Sequence, residues 1–586
     1  MGVSMNVSSF VRARAIRSLA VPLVLAIPPL FWVAEATRRA SLTPLGRDQG
    51  IFQYVAWAIM RGARDYRDVR DVNGPLTHMV HIVLLALGGS DEHRFRVIDL
   101  AITGLTFALV GACVPGLRRG ARPDLVDRTA WALAGWVILS GQHLLYGYWD
   151  LAQRESFFDW FILPAVALQL VAQDPRGSVR SVRWQLAAAG ALSVLTWFGK
   201  PTYAFLTAVQ FATLLLDRDQ PLSRGRAAAA FAAGGCAGAA VPLAFLLRYG
   251  DIAAFARIQF VDVPAMYRFI WPRAAADILS KPWNATQAIF AVLGASGFLA
   301  LIALGELPTR TSTVALMPLA ALAGVLVQAK GFPYHFHPVT AGVHAQWLVF
   351  ACWAAERARV ARRRLALVRV VPVAVALVVA FRIATAMEDS PHVRATWLLW
   401  GAATAEERAS REYFARFPEP DFFPYEMRQA AAYLRGHTSP DDRVQVYGMD
   451  PYILFLAQRA SATPFLYAYD LDADAALTGG TGGRPDDAQA AVIRAMRDQH
   501  EAEMLRELEA RPPAALVFLD AAPLLSESDA WDDFQEHCAE TAAWVHPRYR
   551  ESARFGHDHV WLRLDLAGPA ASPPTVEPSE PSDDSP

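Results

Sequence analysis

Eleven apolar segments run through this chain and decide its fold class. With a window of about 19 residues, they cover 18–36, 97–116, 129–147, 156–173, 185–199, 202–216, 227–247, 286–305, 311–328, 338–355 and 367–386. About 20 apolar residues suffice for a helix to cross a bilayer. The composition agrees, because 54% of the 586 residues are hydrophobic and only 19% are charged. We therefore predict an all-α polytopic membrane protein with about eleven transmembrane helices.

The arginines between these segments predict the topology. Alternate connections carry arginine clusters, including Arg12–Arg17, Arg118–Arg128 and Arg357–Arg364, whereas the other short connections hold only Arg154, Lys200 and Lys330. Cytoplasmic loops are enriched in Arg and Lys, so the N-terminus is predicted to be cytoplasmic. An odd number of spans then puts the C-terminal part outside the cytoplasm. The Ala- and Arg-rich composition suits a bacterial inner membrane.

Three segments leave this topology open. The spans 185–199 and 202–216 are short for a bilayer, and Lys200-Pro201 between them suits a tight outer turn. The apolar run Pro75–Gly88 is shorter still and is predicted to be interfacial or re-entrant; as a span it would reverse the topology. The N-terminal arginines followed by an apolar run also imitate a cleavable signal peptide.

The composition changes after the last span. Charged, helix-like stretches such as Asp487–Ala510 alternate with short apolar runs such as Arg443–Tyr447 and Ala514–Phe518, which is typical of an α/β domain. Gly479–Arg484 lacks the Lys-Ser/Thr of a phosphate-binding P-loop, so we expect a flexible loop. The predicted domains are a transmembrane module, 1–389, with an outer loop, 37–96; an extracytoplasmic α/β domain, 390–566; and a disordered tail, 567–586.

The outer loop 37–96 concentrates charged and aromatic residues. Arg47–Gly62 starts with Asp48 in a predicted helix N-cap position and continues as an apolar, aromatic helix. Tyr66–Leu76 is extended and rich in turns, and it carries Asp68, Asp71 and Asn73. Carboxylates in an outer loop of a membrane protein are candidates for chemistry at the bilayer surface.

This pattern resembles the GT-C superfamily of integral-membrane glycosyltransferases, in particular its bacterial protein mannosyltransferase and aminoarabinose transferase-like branch. The similarity covers about Ser18 to Ala386, and the C-terminal part resembles tail domains of some members. One departure is Gly74, which stands where the family pattern has the first proline of a Pro-Pro turn. The motifs that carry the resemblance are Asp48 after the first span, Tyr66-Arg67-Asp68, Asn73-Gly74-Pro75, Ala152-Gln153-Arg154-Glu155 and Gly199-Lys200-Pro201-Thr202.

The resemblance implies a sugar donor linked to polyprenyl phosphate and assigns the general base to Asp48. An acceptor hydroxyl must lose its proton as it attacks the anomeric carbon, and one carboxylate suffices for this. The alternative is an Asp48 that only caps its helix. Asp68, Asp71, Asn73 and Glu155 are predicted acceptor or sugar contacts, although Asp68 and Asp71 are also suited to pair with Arg67 and Arg70.

Basic residues at the outer ends of spans are candidates for the donor phosphate. A lone cation at such a position is often only an anchor that reaches the interface. The segment Lys330–Pro338 is more specific, because it combines a lysine, a tyrosine and two histidines in one short loop. The predicted phosphate-binding residues are Arg154, Lys200, Lys330, Tyr334, His335 and His337.

His335 and His337 also allow a zinc interpretation, with His344 further along the chain. No acidic residue lies beside them in sequence, so no metal site is assigned. A donor with a single phosphate requires no metal if cationic side chains neutralise the leaving group; a pyrophosphate donor would favour a divalent ion.

Together these observations predict a membrane glycosyltransferase that moves a sugar from polyprenyl phosphate to an extracytoplasmic glycan, lipid or protein. The balanced charge, 55 basic and 56 acidic residues, does not indicate nucleic acid. A transporter, flippase or polysaccharide polymerase is the alternative, and it would be expected to show ionisable residues at mid-span or internal repeats. A receptor without catalytic activity also stays open.

Overall fold

A computed structural model describes residues 26–117, 123–360, 374–379, 382, 390–399, 404–567 and 575–576. The chain divides into two compact units. The first, called the helical unit, comprises Met1–Thr43, Arg96–Val241 and Leu279–Trp400. The second, called the α/β unit, comprises Pro44–Phe95, Pro242–Ile278 and Gly401–Pro586.

Long helices supply most of the helical unit. Residues 26–40 are helical and precede the longer helices in the chain. The long helices are Glu92–Cys113, Leu125–Leu144, Arg154–Ala172, Val179–Leu195, Ala204–Leu216, Arg224–Tyr249, Pro282–Ala303, Ser312–Gln328 and His337–Val360. Within the described residues, five helical segments are long and apolar enough to cross a membrane: Glu92–Leu117, Arg154–Ala172, Arg224–Tyr249, Pro282–Ala303 and Thr309–Gln328.

These five segments match five of the eleven predicted spans. The predicted spans 129–147 and 338–355 also correspond to helices, Leu125–Leu144 and His337–Val360. Their apolar sequences contain polar residues, among them the buried His143 and His344. The predicted spans 185–199 and 202–216 correspond to the shorter helices Val179–Leu195 and Ala204–Leu216. The predicted spans 18–36 and 367–386 lie partly outside the described residues. The total of eleven spans stays a prediction.

Small residues allow two helices of the helical unit to approach each other closely. Gly234 and Gly238, spaced as Gly-x-x-x-Gly on Arg224–Tyr249, face Ala187 and Ala191 of the neighbouring helix. A Cβ added at Gly234 would lie 1.8 Å from the carbonyl oxygen of Ala187. Such small-residue seams let helices pack in lipid, where the hydrophobic effect does not drive them together.

A six-stranded sheet lies in the α/β unit. The strands are β1 Arg443–Tyr447, β2 Ala460–Ser461, β3 Ala515–Leu519, β4 Tyr549–Phe555, β5 Asp558–Arg563 and β6 Thr575–Val576. Their order in the sheet is β2-β1-β3-β5-β4-β6. Strands β2, β1 and β3 are parallel, β5 is antiparallel to both β3 and β4, and β6 is parallel to β4.

Helices accompany this sheet within the α/β unit. One apolar cluster buries Met504 and Leu508, both on the helix Asp487–Ala510, against Phe518 of β3. The helices from residue 405 onward are Ala405–Arg408, Arg411–Phe414, Pro424–His437, Tyr452–Ala457, Asp474–Thr478, Asp487–Ala510, Ala530–His537 and Ala539–Val545. The sheet and helices agree with the alternation that the sequence predicted for this region.

The first outer loop packs into the α/β unit. Its helix Arg47–Met60 lies so close to Tyr452 that a Cβ added at Gly50 would be 2.4 Å from the tyrosine ring. The Tyr54 hydroxyl accepts a hydrogen bond of 2.7 Å from the backbone N–H of Ser461 at β2. By its contacts, Pro44–Phe95 therefore groups with the C-terminal part of the chain, whereas the sequence predicted it with the transmembrane module.

Further segments complete the α/β unit. Besides Pro75–Gly88, the helices Ile252–Arg257 and Ala275–Ser280 belong to it. The glycine-rich segment predicted as a flexible loop lies against Pro272, whose carbonyl accepts a hydrogen bond from the backbone N–H of Gly482. The predicted disordered tail lies outside the described residues except for its first residue and Thr575–Val576. Contrary to prediction, those two form β6 beside β4.

The close helix approach generates a stability prediction. We expect Gly234→Ala to lower the free energy of unfolding by about 1–3 kcal/mol, because the methyl group would force the two helices apart. The matched control is Gly297→Ala on Pro282–Ala303, where an added Cβ meets nothing within 4 Å; alanine's higher helix propensity should leave that variant unchanged or slightly more stable. Thermal unfolding in detergent compares them, and equal effects would contradict the proposed seam.

Candidate active site

Asp48 is the second residue of the helix Arg47–Met60, and Gly46 is the N-cap. The prediction of Asp48 as N-cap was therefore wrong by two positions. The Gly46 backbone N–H donates instead to the side-chain oxygen of Gln49, at 2.7 Å. Asp48 is half-buried in the first helical turn, where the positive end of the helix dipole favours a negative charge.

The residue before Asp48, Arg47, is buried and contacts two carboxylates. Arg47 Nε donates to Asp450 at 2.8 Å, and its guanidinium also pairs with Asp421 at 3.2 Å. Burial raises the pKa of Asp450, which the Arg47 charge opposes, and the result is about 6. This ion pair joins the start of the helix to the segment after β1, so it holds the backbone beside Asp48 in place.

Asp71 belongs to a buried group centred on His78. His78 Nδ1 lies 2.8 Å from Asp65 Oδ2, and its Nε2 lies 3.1 Å from Asp71 Oδ2. All three side chains are fully buried. Burial alone would lower the pKa of His78, but the two carboxylates outweigh it and raise the pKa to about 10. The imidazole is therefore a cation that donates a hydrogen bond to each carboxylate.

The same group shapes the turn that contains Asn73. Asp71 Oδ1 accepts a hydrogen bond from the Asn73 backbone N–H at 2.9 Å, and the Tyr66 hydroxyl donates to the Asn73 carbonyl at 2.7 Å. Pro75 follows as the first residue of the helix Pro75–Gly88. His78 thus connects this helix to the turn before it. Its importance was missed in the sequence, although a histidine on an apolar helix soon after two aspartates was a usable signal.

The predicted loop pairs were half right. Asp68 pairs with Arg67 at 2.8 Å as expected. Asp71 does not pair with Arg70, because the buried Arg70 contacts Asp262 at 2.8 Å and Asp470 at 3.0 Å. Those partners come from residues far apart in the chain, which is why local spacing did not reveal them.

In the helical unit, Glu155 lies close to several predicted phosphate-binding residues. Lys200 donates a hydrogen bond to its Oε1. His335 Nε2 lies 3.8 Å from that oxygen, and Arg154 Nε lies 3.9 Å from Oε2. Glu155 is 1% exposed, so its charge requires the cations Lys200 and Arg154, whereas burial lowers the pKa of His335. We predicted Glu155 as an acceptor contact; its observed partners are the cations themselves.

A small cavity adjoins this group. Glu155 and His335 line it together with Thr202, Tyr203 and Gln328. Oε2 of Glu155 and Nδ1 of His335 are buried, and neither atom has a hydrogen-bond partner among the described residues. Polar atoms of this kind suit a site that binds a polar headgroup.

The other residues of the predicted phosphate loop also have contacts of their own. His337 turns away from His335: its Nε2–H donates to the Asp150 carbonyl at 2.9 Å, and its ring stacks on Tyr146. Tyr334 stacks on Phe332 and meets His335 edge to face. Burial lowers the pKa of Lys330 to about 8.

Solved structures resemble this chain over its whole length, although it matched no protein-family model and no curated protein significantly. ArnT from Cupriavidus metallidurans bound to undecaprenyl phosphate aligns with 95% of this chain and 99% of its own, at 14% identity and a TM-score of 0.51. Its apo structure gives 13% identity, 96% and 100% coverage, and the same TM-score. The chain has the GT-C fold. An Archaeoglobus fulgidus oligosaccharyltransferase is more distant, with TM-score 0.42, 11% identity, and 90% and 78% coverage.

The GT-C fold is the fold that the family resemblance implied. It also confirms a multi-pass helical membrane protein with a small C-terminal sheet. The roles of the individual site residues stay predictions.

The His78 group generates a pH prediction. The folded-state pKa of about 10 lies above the ordinary histidine value near 6.5. His78 therefore stabilises the fold fully below about pH 6.5, and this contribution is lost as the pH rises through about 10. At pH 6, we expect His78→Gln to cost about 1.5–3 kcal/mol of unfolding free energy, with the difference from wild type shrinking by pH 10.

Unfolding in detergent at pH 6, 8 and 10 would measure this dependence. His546→Gln is the matched control, because that histidine is exposed. A difference between wild type and His78→Gln that stays constant from pH 6 to 10 would contradict a charged imidazole.

Proposed function

We propose that this protein is a glycosyltransferase that moves a sugar from a polyprenyl-phosphate donor to an extracytoplasmic acceptor. The observation that carries the proposal is a fold likeness that spans nearly all of this chain and nearly all of ArnT. ArnT was crystallised with undecaprenyl phosphate, which supports a lipid-phosphate donor here. The sugar can be a hexose or a pentose, and the acceptor can be a glycan, a lipid or a protein.

Asp48 is the proposed general base. Its carboxylate would take the proton of the acceptor hydroxyl as the oxygen attacks the anomeric carbon, while the bond to the lipid phosphate breaks. The support is its half-buried position at a helix N-terminus that the Arg47 ion pairs hold in place. A base needs such positioning, because small displacements from the reacting geometry cost large factors in rate.

Arg154, Lys200 and Lys330 are the proposed phosphate-binding cations. The leaving phosphate gains negative charge as the glycosidic bond breaks, so fixed cations stabilise the transition state more than the bound donor. Glu155 holds Lys200 and lies beside Arg154, which keeps both side chains ordered before the donor binds. With the phosphate neutralised by side chains, the proposed reaction requires no metal.

Asp68, Asp71 and Asn73 are proposed to act on the acceptor side. Asp68 is the accessible member, with a side chain 39% exposed. Asp71 is buried beneath the turn, so its effect on the acceptor would be indirect, through the backbone around Asn73.

The first test is transfer of radiolabelled sugar from a panel of polyprenyl-phosphate donors to membrane extracts. We expect Asp48→Asn to lower kcat by at least about 100-fold, because the amide cannot accept the proton. The matched control is Asp487→Asn, which alters another acidic residue in the first turn of a helix of the same unit; its activity should stay near wild type.

Each other outcome of this assay has a definite meaning. Retained activity in Asp48→Asn would reject Asp48 as the base. Loss of wild-type activity in chelator would reject the reaction without metal. No transfer from any donor would count against the glycosyltransferase proposal and favour a transporter.

Lys330 provides a separate test of donor binding. Its pKa of about 8 means that its positive charge disappears as the pH rises from 7 to 9, so we expect the KM for the donor to rise several-fold over that range. Lys330→Arg keeps the charge and should flatten the profile, whereas Lys330→Gln should give the high KM already at pH 7. Identical pH profiles for wild type and Lys330→Arg would exclude Lys330 from phosphate binding.

A further inference from the structure

The α/β unit holds a second polar cluster, made of residues other than those proposed for sugar transfer. It consists of Asp472, Asp533 and His537, with Ser526 beside them. Tyr447, the last residue of β1, donates its hydroxyl hydrogen bond to Asp533 at 2.8 Å. Ser526 belongs to the loop that follows β3. The cluster therefore lies at the carboxyl end of the parallel strands.

This end of the sheet is where open α/β sheets bind ligands. β1 lies between β2 and β3 in the sheet. The chain passes from β1 to β2 on one side and then crosses to β3 on the other side, so the strand order reverses at β1. Ligands of such sheets bind outside the carboxyl ends of the strands where the strand order reverses. The position of the cluster thus points to a ligand independently of its residue types.

The three side chains converge on one point. His537 Nε2 lies 3.7 Å from Asp472 Oδ1 and 3.9 Å from Asp533 Oδ1. One ligand atom from each residue lies within 4.8 Å of the others. Asp533 and His537 are four residues apart on the helix Ala530–His537, so they share a face of it. Two atoms that bind one tetrahedral zinc ion at about 2.1 Å each are about 3.4 Å apart, so the three side chains would move closer together when the ion binds.

The charge of the cluster is unbalanced. Asp472 and Asp533 are fully buried, and within the described residues neither forms an ion pair with lysine or arginine. Their only ionisable partner in such a pair is His537, which can supply one positive charge for two carboxylates. The carboxylate oxygens accept hydrogen bonds from the Tyr447 hydroxyl, from Ser526 and from the backbone N–H of Asp474. These neutral donors supply no full positive charge, and burying uncompensated charge is costly, so a divalent cation would balance the net negative charge of the cluster.

We propose that Asp472, Asp533 and His537 bind a divalent metal ion, with zinc the best match. Two carboxylate oxygens and one imidazole nitrogen are a donor set that zinc accepts, with water or a hydroxyl as fourth ligand. Ser526 is exposed and its Oγ lies 2.7 Å from His537 Nε2, so it marks the route from solvent. The ion would join the segment after residue 470, the loop after β3 and the helix Ala530–His537. This site goes beyond the proposed sugar transfer.

Zinc binding to the full-length protein in detergent tests the proposal. After equilibrium dialysis, elemental analysis should find one more zinc per chain in wild type than in His537→Gln or Asp472→Asn. Added zinc should raise the midpoint of thermal unfolding of wild type but not of these variants, and their zinc affinity should fall at least about tenfold. The matched control is His546→Gln, because His546 is an exposed histidine directly after the helix Ala539–Val545. This variant should bind zinc like wild type.

Cobalt substitution adds a direct readout of coordination. Visible absorption bands of tetrahedral cobalt in wild type that are absent in His537→Gln would support the site. Equal zinc content in wild type and both variants would overturn it. If a variant fails to give a cooperative unfolding transition, wild type decides alone: no bound zinc and no shift in its unfolding midpoint would overturn the proposal.

Discussion

Buried charge that is balanced by opposite charge is the interaction on which both units depend. In the helical unit, Glu155 is enclosed by Lys200, Arg154 and His335. In the α/β unit, Arg70 lies between Asp262 and Asp470, and the cationic His78 lies between two aspartates. Removing one member of such a group leaves the others charged in a medium of low dielectric constant, which costs several kcal/mol. These groups therefore specify which segments must meet.

The pairs are also what makes the α/β unit one body. It is assembled from three stretches of chain, and Arg70 contacts one residue from each of the other two. Arg47 performs a similar task at the start of its helix through Asp421 and Asp450. The loop after the first predicted span is thereby a structural part of the C-terminal domain. The proposed base Asp48 lies on the helix Arg47–Met60, most of whose residues are buried.

The same physics links stability to the proposed chemistry. A site that handles a lipid phosphate needs more positive charge than its own carboxylate neutralises, and the single Glu155 has both Lys200 and Arg154 beside it. In the α/β unit, the buried Asp472 and Asp533 share His537 as an ion-pair partner, so the described residues offer one positive charge to two carboxylates. Where the protein supplies too little charge of its own, a ligand is the expected remedy, whether an anion beside excess cations or a metal ion beside excess carboxylates.

Much of the fold could be predicted from the sequence, because local patterns encode it. Apolar segments such as 227–247 and 311–328 became long helices, and the alternating C-terminal pattern became a sheet with helices, including Asp487–Ala510 at its predicted bounds. Boundaries at helix starts were less accurate: Gly46 rather than Asp48 is the N-cap, and its backbone N–H donates to the side chain of Gln49.

Local sequence determined the helical membrane class, the C-terminal α/β domain and the types of residue available for catalysis, since periodicity and composition act over a few turns of chain. Only the tertiary structure decided which charges meet. Asp71 contacts His78 instead of Arg70, and His335 lies beside Glu155, whereas His337 binds the backbone carbonyl of Asp150. Those choices depend on the burial of residues that are distant in sequence, because a charge in the interior selects whichever partner the packing of the whole chain brings within reach.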